Sequence, residues 1–423
     1  MTVIGLDDTD SRERGMCTTY VAATLAERVR EAGGSVDRCL LVRLNPGVEH
    51  KTRGNAALAL HTDLDPDRAL ELASDRLALA ETADPRTNPG VVVAPGDPEG
   101  VPDDVAAFAR GAVRDYHAID DAVGLAAERG YETAHAGNGR GRIGALAAVG
   151  AWTAFDDWTY ECISYRERDR WGTEREIDRE SVFAAAESAY PDAWDTVDRG
   201  EGYPVCVPRT PCPICHGIRG DDPEVVRSVA GEIDGEPVAR RALFVTNQGT
   251  DAHLRDAAGF GAVSEGRAYR VTGDVVEPPE TREGGHVFCT VESDDGERAE
   301  IAAFEPTKRF RDRVRALRVG DRVTVCGEVS DGTLKLEKFA VRDLVTTERV
   351  TPDCPDCGRS MSSAGAGQGY RCRDCGTSAD GKVAVPIERE LESGWYEVPP
   401  CARRHVAKPL VRGGFDAPVH PER

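Results

Sequence analysis

Apolar and polar positions along the first 95 residues follow the pattern of one small α/β unit. Residues Thr2 to Leu6 carry β-branched and apolar side chains, as a short buried strand does. The same pattern continues with helix Thr18 to Ala32, strand Val36 to Leu44, strand Asn55 to His61, helix Pro66 to Thr82 and strand Val91 to Pro95. This order of strands and helices predicts a ferredoxin-like arrangement.

A second α/β unit of similar build is predicted between about residues 137 and 255, after two helices at Asp103 to His117 and Ile119 to Arg129. Its predicted elements are strand Trp158 to Tyr165, helix Asp178 to Tyr190, helix Asp222 to Ile233 and strand Ala239 to Thr246. Between the two helices, Pro191 to Gly220 is rich in proline and glycine, and we expect it to fold over a site.

From about residue 265 to 345 the pattern changes to short alternating strands without long helices. The predicted strands are Arg267 to Val276, His286 to Val291, Arg298 to Ala303, Arg322 to Val329 and Thr333 to Val341. Five strands in this length predict a β-barrel of the OB type, which commonly binds single-stranded nucleic acid. A small β-barrel used for some other interaction remains the alternative.

Two pairs of cysteines in the last part of the chain have the spacing of a metal site. Cys354 and Cys357 form one CxxC pair, Cys372 and Cys375 form the other, and a glycine follows each pair. Four thiolates at this spacing can close a tetrahedron around Zn²⁺. A lone CxxC at Cys212 and Cys215 has no second pair nearby, and a structural role is favoured for it.

These patterns predict an α+β multidomain protein with two ferredoxin-like α/β units, an OB-fold β-barrel and a C-terminal zinc ribbon. The predicted domains are 1–130, 131–260 with a glycine-rich loop, 265–345 with the barrel, and 346–423 with the ribbon and a C-terminal tail.

Composition narrows the class of protein further. No run of 18 or more apolar residues and no secretory signal pattern is present, so we expect a cytoplasmic protein without a membrane partner. Most of the 13 cysteines are scattered singly, as in a reduced compartment. The net charge of −21 argues against nucleic acid at low salt, but this lysine-poor composition is typical of proteins in concentrated salt. In concentrated salt the Debye length falls to about 3 Å, so the net charge decides little about whether nucleic acid is a partner.

Three carboxylates, Asp7, Asp8 and Asp10, directly follow the first predicted strand. Like charges this close raise one another's pKa or recruit a cation, and Mg²⁺ is commonly held by one or two carboxylates plus nucleotide phosphates. The helix that begins at Thr18 adds backbone amides at its N-terminus, where anions bind. The pattern indicates a magnesium and phosphate site. A solvated acidic turn before a Ser/Thr cap is the alternative.

Two further loops are candidates for binding phosphate. One keeps a rare lysine beside an arginine and a glycine, and the other places four glycines and two arginines before a small-residue run that is a predicted helix. The candidate phosphate-binding residues are Lys51, Arg53, Gly54, Asn55, Gly137, Asn138, Gly139, Arg140 and Gly141. Polar residues at the end of strand Ala239 to Thr246, and acidic residues nearby, are weaker candidates for contacting a substrate. These are Asp198, Asn247, Gln248 and Asp251.

The chain resembles the archaeal tRNA(Ile) agmatinylcytidine synthetase family over nearly its whole length. The resemblance rests on the blocks GLDDTD, GMCTTY, KTRGNAALAL, GNGRGRIGALAAVGA, GIRG and NQGTDAHL, followed by the OB-like region and the four-cysteine ribbon. The sequence departs from the family pattern at His50, where a tryptophan is usual, and at Cys212 to His216, which replace a more apolar stretch.

The resemblance implies a reaction and roles for the candidate residues. ATP would activate C2 of the wobble cytidine in a CAU anticodon by phosphorylation, agmatine would displace the activated oxygen, and ATP would end as AMP and two phosphates. The N-terminal domain would then be kinase-like, with Asp7, Asp8 and Asp10 holding Mg²⁺, and Thr18 taking up phosphate unless the adjacent Thr19 does. The barrel and ribbon would hold the tRNA, whose codon reading changes from AUG to AUA.

Two other functions remain open from the residues alone. An RNA-modifying ligase that transfers an adenylyl group would use the same magnesium site but leave AMP on its intermediate. A non-catalytic RNA-binding protein would need the barrel and the ribbon, but not the carboxylates of the DDTD block.

Overall fold

The computed structural model describes residues 1–51 and 54–423, and it has the mixed α+β, multidomain architecture that the sequence predicts. The strands and α-helices of the first unit alternate along the chain. They are β1 (Thr2–Asp7), α1 (Thr18–Glu31), β2 (Val36–Arg43), β3 (Ala56–Thr62), α2 (Pro66–Arg76), β4 (Gly90–Pro95), α3 (Asp103–Arg114), α4 (Ile119–Glu128), β5 (Glu132–His135) and α5 (Gly141–Ala154). Arg53 lies outside the described residues.

Strand β1 lies inside the sheet, between β3 and β4, and is covered on both faces. Because successive side chains of a strand point to opposite faces, Val3 enters one apolar core while Ile4 and Leu6 enter the other. Helix α5 packs directly on β1: a Cβ on Gly5 would lie 2.0 Å from the Ala145 carbonyl oxygen. The small-residue run therefore forms the tightly packed helix that the sequence predicts, and it places the N-terminus of α5 beside the end of β1.

The second unit continues the same sheet. Its elements are β6 (Thr159–Arg166), α6 (Arg179–Ala189), β7 (Ala193–Trp194), β8 (Ile214–Gly220), α7 (Pro223–Glu232) and β9 (Val238–Thr246). The next strand, β10 (Leu254–Asp256), belongs to the barrel sheet, where Leu254 lies opposite Ala268. Strand β9 pairs in parallel with β2, with Leu40 opposite Val245, so nine strands form one sheet in the order β5-β4-β1-β3-β2-β9-β6-β8-β7. The predicted loop from Pro191 to Gly220 also contains β7 and β8. Strand β8 pairs with β6 and β7 pairs with β8, and the local pattern revealed neither pairing.

Residues 268–343 form a closed five-stranded barrel. Its elements are β11 (Ala268–Thr281), β12 (Val287–Ser293), β13 (Arg298–Ala303), α8 (Phe310–Arg315), β14 (Arg322–Ser330) and β15 (Thr333–Asp343). Strand β11 pairs with β12 and β14, while β15 pairs with β13 and β14, which closes the ring. Alternate side chains such as Val291, Val325 and Phe339 fill the interior, as the alternating pattern requires.

The last 75 residues do not form one separate unit. The remaining strands are β16 (Thr347–Val350), β17 (Ser362–Ser363), β18 (Tyr370–Arg371), β19 (Ser378–Ala379), β20 (Val383–Pro386), β21 (Gly394–Glu397) and β22 (Val419–His420). Strands β16 and β20 pair at the base of the ribbon, and β21 then returns to pair with β15, with Phe339 opposite Tyr396. The ribbon is thus an insertion between two neighbouring strands of the barrel sheet, and the tail packs back on the body.

Within the described residues, every helix is too short or too polar to cross a membrane.

Candidate functional site

A cavity of about 830 Å³ opens where the first unit, the second unit and the C-terminal tail meet. Most of the predicted catalytic and phosphate-binding residues line it. These are Asp7, Asp8, Asp10, Thr18, Lys51, Gly54, Asn55, Arg140 and Gly141. The other predicted phosphate-binding and substrate residues within the described part of the chain do not line this cavity. These are Gly137, Asn138, Gly139, Asp198, Asn247, Gln248 and Asp251.

The acidic block begins where β1 ends, because Asp7 is the last residue of that strand. Asp8 has a positive φ of 60°, and its backbone N–H donates to Asp7 Oδ1 at 2.7 Å. Asp8 Oδ2 in turn accepts from Asn88 N and from Arg140 Nη2, both at 3.1 Å. A left-handed backbone, which Asp tolerates better than most residues, thus turns the Asp8 carboxylate toward Arg140.

Burial makes both carboxylates harder to ionise. It raises the pKa of Asp7 well above its usual range, and the neighbouring Asp8 charge adds to this effect. Burial also raises the pKa of Asp8 from its ordinary 3.8 to about 6, against the attraction of Arg140. A cation bound here would relieve the cost of holding these charges together.

Glycines let the N-terminus of α5 approach Asp7. A Cβ on Gly144 would lie 2.0 Å from Asp7 Oδ2, and one on Gly141 would lie 2.7 Å from the Asp7 carbonyl oxygen. The Asp7 carboxylate therefore contacts the first turn of a helix, where the backbone favours negative charge. The preceding loop is held by Asn88, whose Oδ1 accepts from Asn138 N at 3.0 Å. Glycine is thus needed here for close packing.

Thr18 is the first residue of α1 and is largely buried at the cavity wall. The Thr9 hydroxyl donates to Thr18 Oγ1 at 3.1 Å. Thr19, the alternative phosphate acceptor, also lines the cavity, and its hydroxyl lies 3.0 Å from Cys17 Sγ. Both hydroxyls are therefore candidates on position alone.

The lysine-containing loop forms another part of the wall. Lys51 Nζ donates to the Pro46 carbonyl, and burial lowers the pKa of this lysine. A Cβ on Gly54 would lie 2.7 Å from Arg43 Nη1, so glycine leaves room for that guanidinium. Asn55 has a φ of 44° and donates from Nδ2 to the Asn45 carbonyl at 2.8 Å.

The four candidate substrate residues make contacts within the protein. Asn247 makes two hydrogen bonds to the backbone of Arg43. Its Oδ1 accepts from the Arg43 N–H at 2.7 Å, and its Nδ2 donates to the Arg43 carbonyl at 3.0 Å. Gln248 accepts from Arg43 Nη2 at 3.2 Å. Asp198 pairs with Arg309 at 3.0 Å and Asp251 with Lys338 at 2.8 Å, which joins the second unit to the barrel. Their geometry is that of residues that hold the wall and the domains in place.

Several ionisable residues of the cavity wall were not predicted from the sequence. Arg43, Glu161 and Arg219 lie in β2, β6 and β8, and Arg403 and His405 lie in the tail. Glu161 stands opposite Arg219 on adjacent strands. Glu161 could have been identified from the sequence, because it is a charged residue inside a largely apolar predicted strand. The tail residues gave no such signal, because the sequence alone does not reveal that the chain returns to the cavity.

The ribbon cysteines converge as their spacing predicts. The sulfur atoms of Cys354, Cys357, Cys372 and Cys375 all lie within 4.8 Å of one another. Cys357 Sγ and Cys372 Sγ are 3.6 Å apart, close to the roughly 3.8 Å between two thiolates of a tetrahedral zinc site with Zn–S bonds of about 2.3 Å. The following glycines, Gly358 and Gly376, have positive φ values of 72° and 75°. Within the described chain, no other group of three or more ligands converges in this way.

The fold and the site define a multidomain α+β enzyme in which a charged, phosphate-compatible cavity is combined with a metal-binding ribbon. Family models assign the particular family. The TiaS TCKD domain matches residues 3–138, the TiaS FLD domain matches 139–253, and the TiaS C-terminal zinc ribbon domain matches 351–391. The chain belongs to the TiaS family.

Curated relatives and solved structures agree with this assignment. The isoleucine-tRNA agmatinylcytidine synthetase TiaS of Haloquadratum walsbyi is 54% identical over the full length of both chains, and that of Methanosarcina acetivorans is 45% identical, again over the full length of both. A crystal structure of TiaS in complex with its isoleucine tRNA and ATP is 41% identical, with a TM-score of 0.89, and covers 100% of this chain and 99% of that one. A crystal structure of TiaS with the same tRNA, AMPCPP and agmatine is 39% identical, with a TM-score of 0.87 and the same coverage.

Proposed function

We propose that this chain is an ATP-dependent ligase that attaches agmatine to C2 of the wobble cytidine of tRNA(Ile) with a CAU anticodon. The identity of 54% over the full length to a curated synthetase carries this proposal. The fold match to complexes with isoleucine tRNA, ATP or AMPCPP, and agmatine supports the same substrates. A reaction on tRNA would place the protein in the cytoplasm.

The cavity suits the phosphoryl transfer that such a reaction begins with. Asp7, Asp8 and Asp10 would hold Mg²⁺, which supplies charge neutralisation for the phosphates. Two observations support this assignment: the Asp7 and Asp8 carboxylates are buried at the wall, and burial raises the pKa of each. Asp8 then needs to lose its proton before a cation binds, and Arg140 assists by favouring the charged form.

The remaining wall residues would orient the nucleotide and receive phosphate. Thr18 would accept a phosphoryl group, since its hydroxyl lies at the cavity wall and at the start of α1. The phosphates would be bound by the loop residues that reach the cavity and by Arg53. The loop residues are Lys51, Gly54, Asn55, Arg140 and Gly141. Gly137, Asn138 and Gly139 would support this loop from behind.

The domain functions follow from the same proposal. Residues 1–130 form the kinase-like domain and 131–260 the second unit, each built on a ferredoxin-like pattern. The order β4-β1-β3-β2 in the first unit supports the first of these assignments. Residues 265–345 form an OB-type barrel that binds tRNA, an assignment supported by the closed five-stranded ring. Residues 346–423 contribute the zinc ribbon and the tail.

The test is incorporation of radiolabelled agmatine into an unmodified tRNA(Ile) transcript with a CAU anticodon, with ATP and Mg²⁺ at high salt. Label in the RNA is expected with the wild-type chain, together with AMP as a product. Asp8→Asn should abolish the label while tRNA binding persists at matched salt, and Asn is chosen because it tolerates the positive φ at this position. Adenylate on the RNA instead of agmatine would support the adenylyl-transfer ligase. A folded protein that binds tRNA without modifying it would support the non-catalytic alternative.

A further inference from the structure

Two arginines that the proposed reaction does not use lie in the cavity wall. Arg43 ends β2 and Arg219 lies in β8, and both side chains line the cavity. They approach it from different units of the shared sheet. Glu161 adjoins both, since it stands opposite Arg219 across the ladder and its Oε2 is 4.0 Å from Arg43 Nη2.

Among the described residues, neither guanidinium has a carboxylate within hydrogen-bonding distance. Arg43 donates from Nη2 to Gln248 Oε1 at 3.2 Å and from Nη1 to the Gly54 carbonyl at 3.4 Å, but its buried Nε has no hydrogen-bond partner in the same part of the chain. Arg219 is only 5% exposed, and its buried Nη1 likewise has no partner in the described chain. The nearest carboxylate oxygen, Asp195 Oδ2, is 3.8 Å from Arg219 Nη1. Buried charged donors without partners are costly, so these groups have unused capacity to bind an anion.

The neighbouring carboxylates are already engaged. Asp195 Oδ1 accepts from Arg403 Nη1, and Arg403 Nη2 pairs with Glu397 at 2.8 Å. Glu161 Oε2 accepts from Gln248 Nε2. These contacts engage both carboxylates, and among the described residues neither forms a hydrogen bond with Arg43 or Arg219, which line the cavity.

The ionisation of His405 is affected by the positive charges of Arg43 and Arg219. The neighbouring Arg43 charge, burial and the Arg219 charge lower the pKa of His405 well below its ordinary value. The imidazole therefore stays neutral and adds no charge to this wall. His405, Arg43 and Arg219 all line the same cavity.

We propose that Arg43 and Arg219 together form a phosphate subsite whose two guanidinium groups bind one phosphoryl group at the cavity wall. The group comes either from the nucleotide or from the RNA backbone beside the wobble nucleotide, and the two sources share this chemistry. The inference rests on the proposed function for these two sources, but binding of an inorganic phosphate chain tests the subsite without any catalytic step.

The first measurement is calorimetric titration of the full chain with inorganic tripolyphosphate at fixed salt. Arg43→Gln and Arg219→Gln should each weaken binding at least tenfold. Arg219→Lys should lie between the wild type and Arg219→Gln, because it keeps the charge and loses the planar fork. Arg227→Gln is the matched control: Arg227 lies on α7 with a half-exposed side chain, and its removal should leave the affinity unchanged.

Two further titrations identify the source of the phosphate. If the nucleotide supplies it, the variants raise the Kd of AMPCPP and leave the tRNA Kd unchanged. If the RNA supplies it, the tRNA Kd rises, and the slope of log K against log salt falls by roughly 0.7 for the lost contact. Both results support the subsite. Unchanged affinity of both folded variants for tripolyphosphate, AMPCPP and tRNA would overturn it.

A variant that does not fold leaves the wild-type chain as the test. Crystals soaked with tripolyphosphate should show a phosphate between Arg43 and Arg219, and density only elsewhere in the cavity would overturn the proposal. Agmatine incorporation by the wild-type chain is measured in parallel. Its failure would refute the proposed function while leaving the tripolyphosphate result to decide the subsite.

Discussion

At the scale of single residues, the ionisation of Asp8 makes the stability of the folded chain depend on pH. Its pKa rises from 3.8 to about 6 on folding, so the folded state binds this proton more tightly than the unfolded state. The resulting stabilisation is present below pH 3.8 and is lost as the pH rises through 6, at a cost on the order of 3 kcal/mol. Asp8→Asn, which never ionises, should therefore be more stable than the wild type at pH 7.5 without divalent metal, and about equally stable near pH 3.

Urea unfolding at the two pH values measures this difference. The control is Asp256→Asn, which removes one carboxylate that is 84% exposed and should change stability by less than about 0.5 kcal/mol at either pH. A wild type that is as stable as Asp8→Asn at pH 7.5 would show that Asp8 is not held at an energetic cost.

The residues that sequence reasoning found and those that it missed differ in one physical respect. Asp8 and Thr18 stand in an uninterrupted local block, so a short window of sequence contains the whole pattern. Arg43 and Arg403 acquire meaning only through contacts with residues far along the chain, such as Gln248 and Asp195. No local pattern encodes such contacts.

At the scale of elements, the packing of α5 against β1 depends on the absence of side chains. A Cβ on Gly144 would lie 2.0 Å from Asp7 Oδ2, whereas one on Gly124 of α4 would meet nothing within 4 Å. Gly144→Ala should therefore destabilise the chain by about 1–3 kcal/mol and lower activity, since it displaces the Asp7 carboxylate. Gly124→Ala, the matched helical control, should stabilise by up to about 1 kcal/mol. Equal effects of the two changes in chemical denaturation would refute this account of α5.

The elements themselves were largely predictable, and their pairing was not. The five barrel strands follow from alternation alone, because each strand has one face in the core. The joining of β2 to β9 into one sheet unites segments about 200 residues apart, and short strands such as β7 carry too few residues for a pattern.

At the scale of the whole molecule, the ribbon is an insertion between β15 and β21, and we expect the body to remain folded without it. Its own buried core consists of Cys354, Met361 and Cys372, so we expect a bound metal to supply most of its stability. One zinc per chain is expected by elemental analysis, and Cys372→Ser should abolish it. The main unfolding transition should then change little, because β15 and β21 pair without the ribbon.

We expect loss of the folded ribbon to weaken tRNA binding and to leave nucleotide binding unchanged. Limited proteolysis of Cys372→Ser should cut within 351–391 first, and affinity for tRNA should fall while affinity for AMPCPP is retained, because the cavity lies in the body. Cys39→Ser, which changes a cysteine of β2 remote from the ribbon motif, is the control and should keep its zinc. Undiminished zinc in Cys372→Ser would count against the four-cysteine ligand set. Parallel loss of nucleotide binding would instead mean that the ribbon supports the cavity through β21 and the tail.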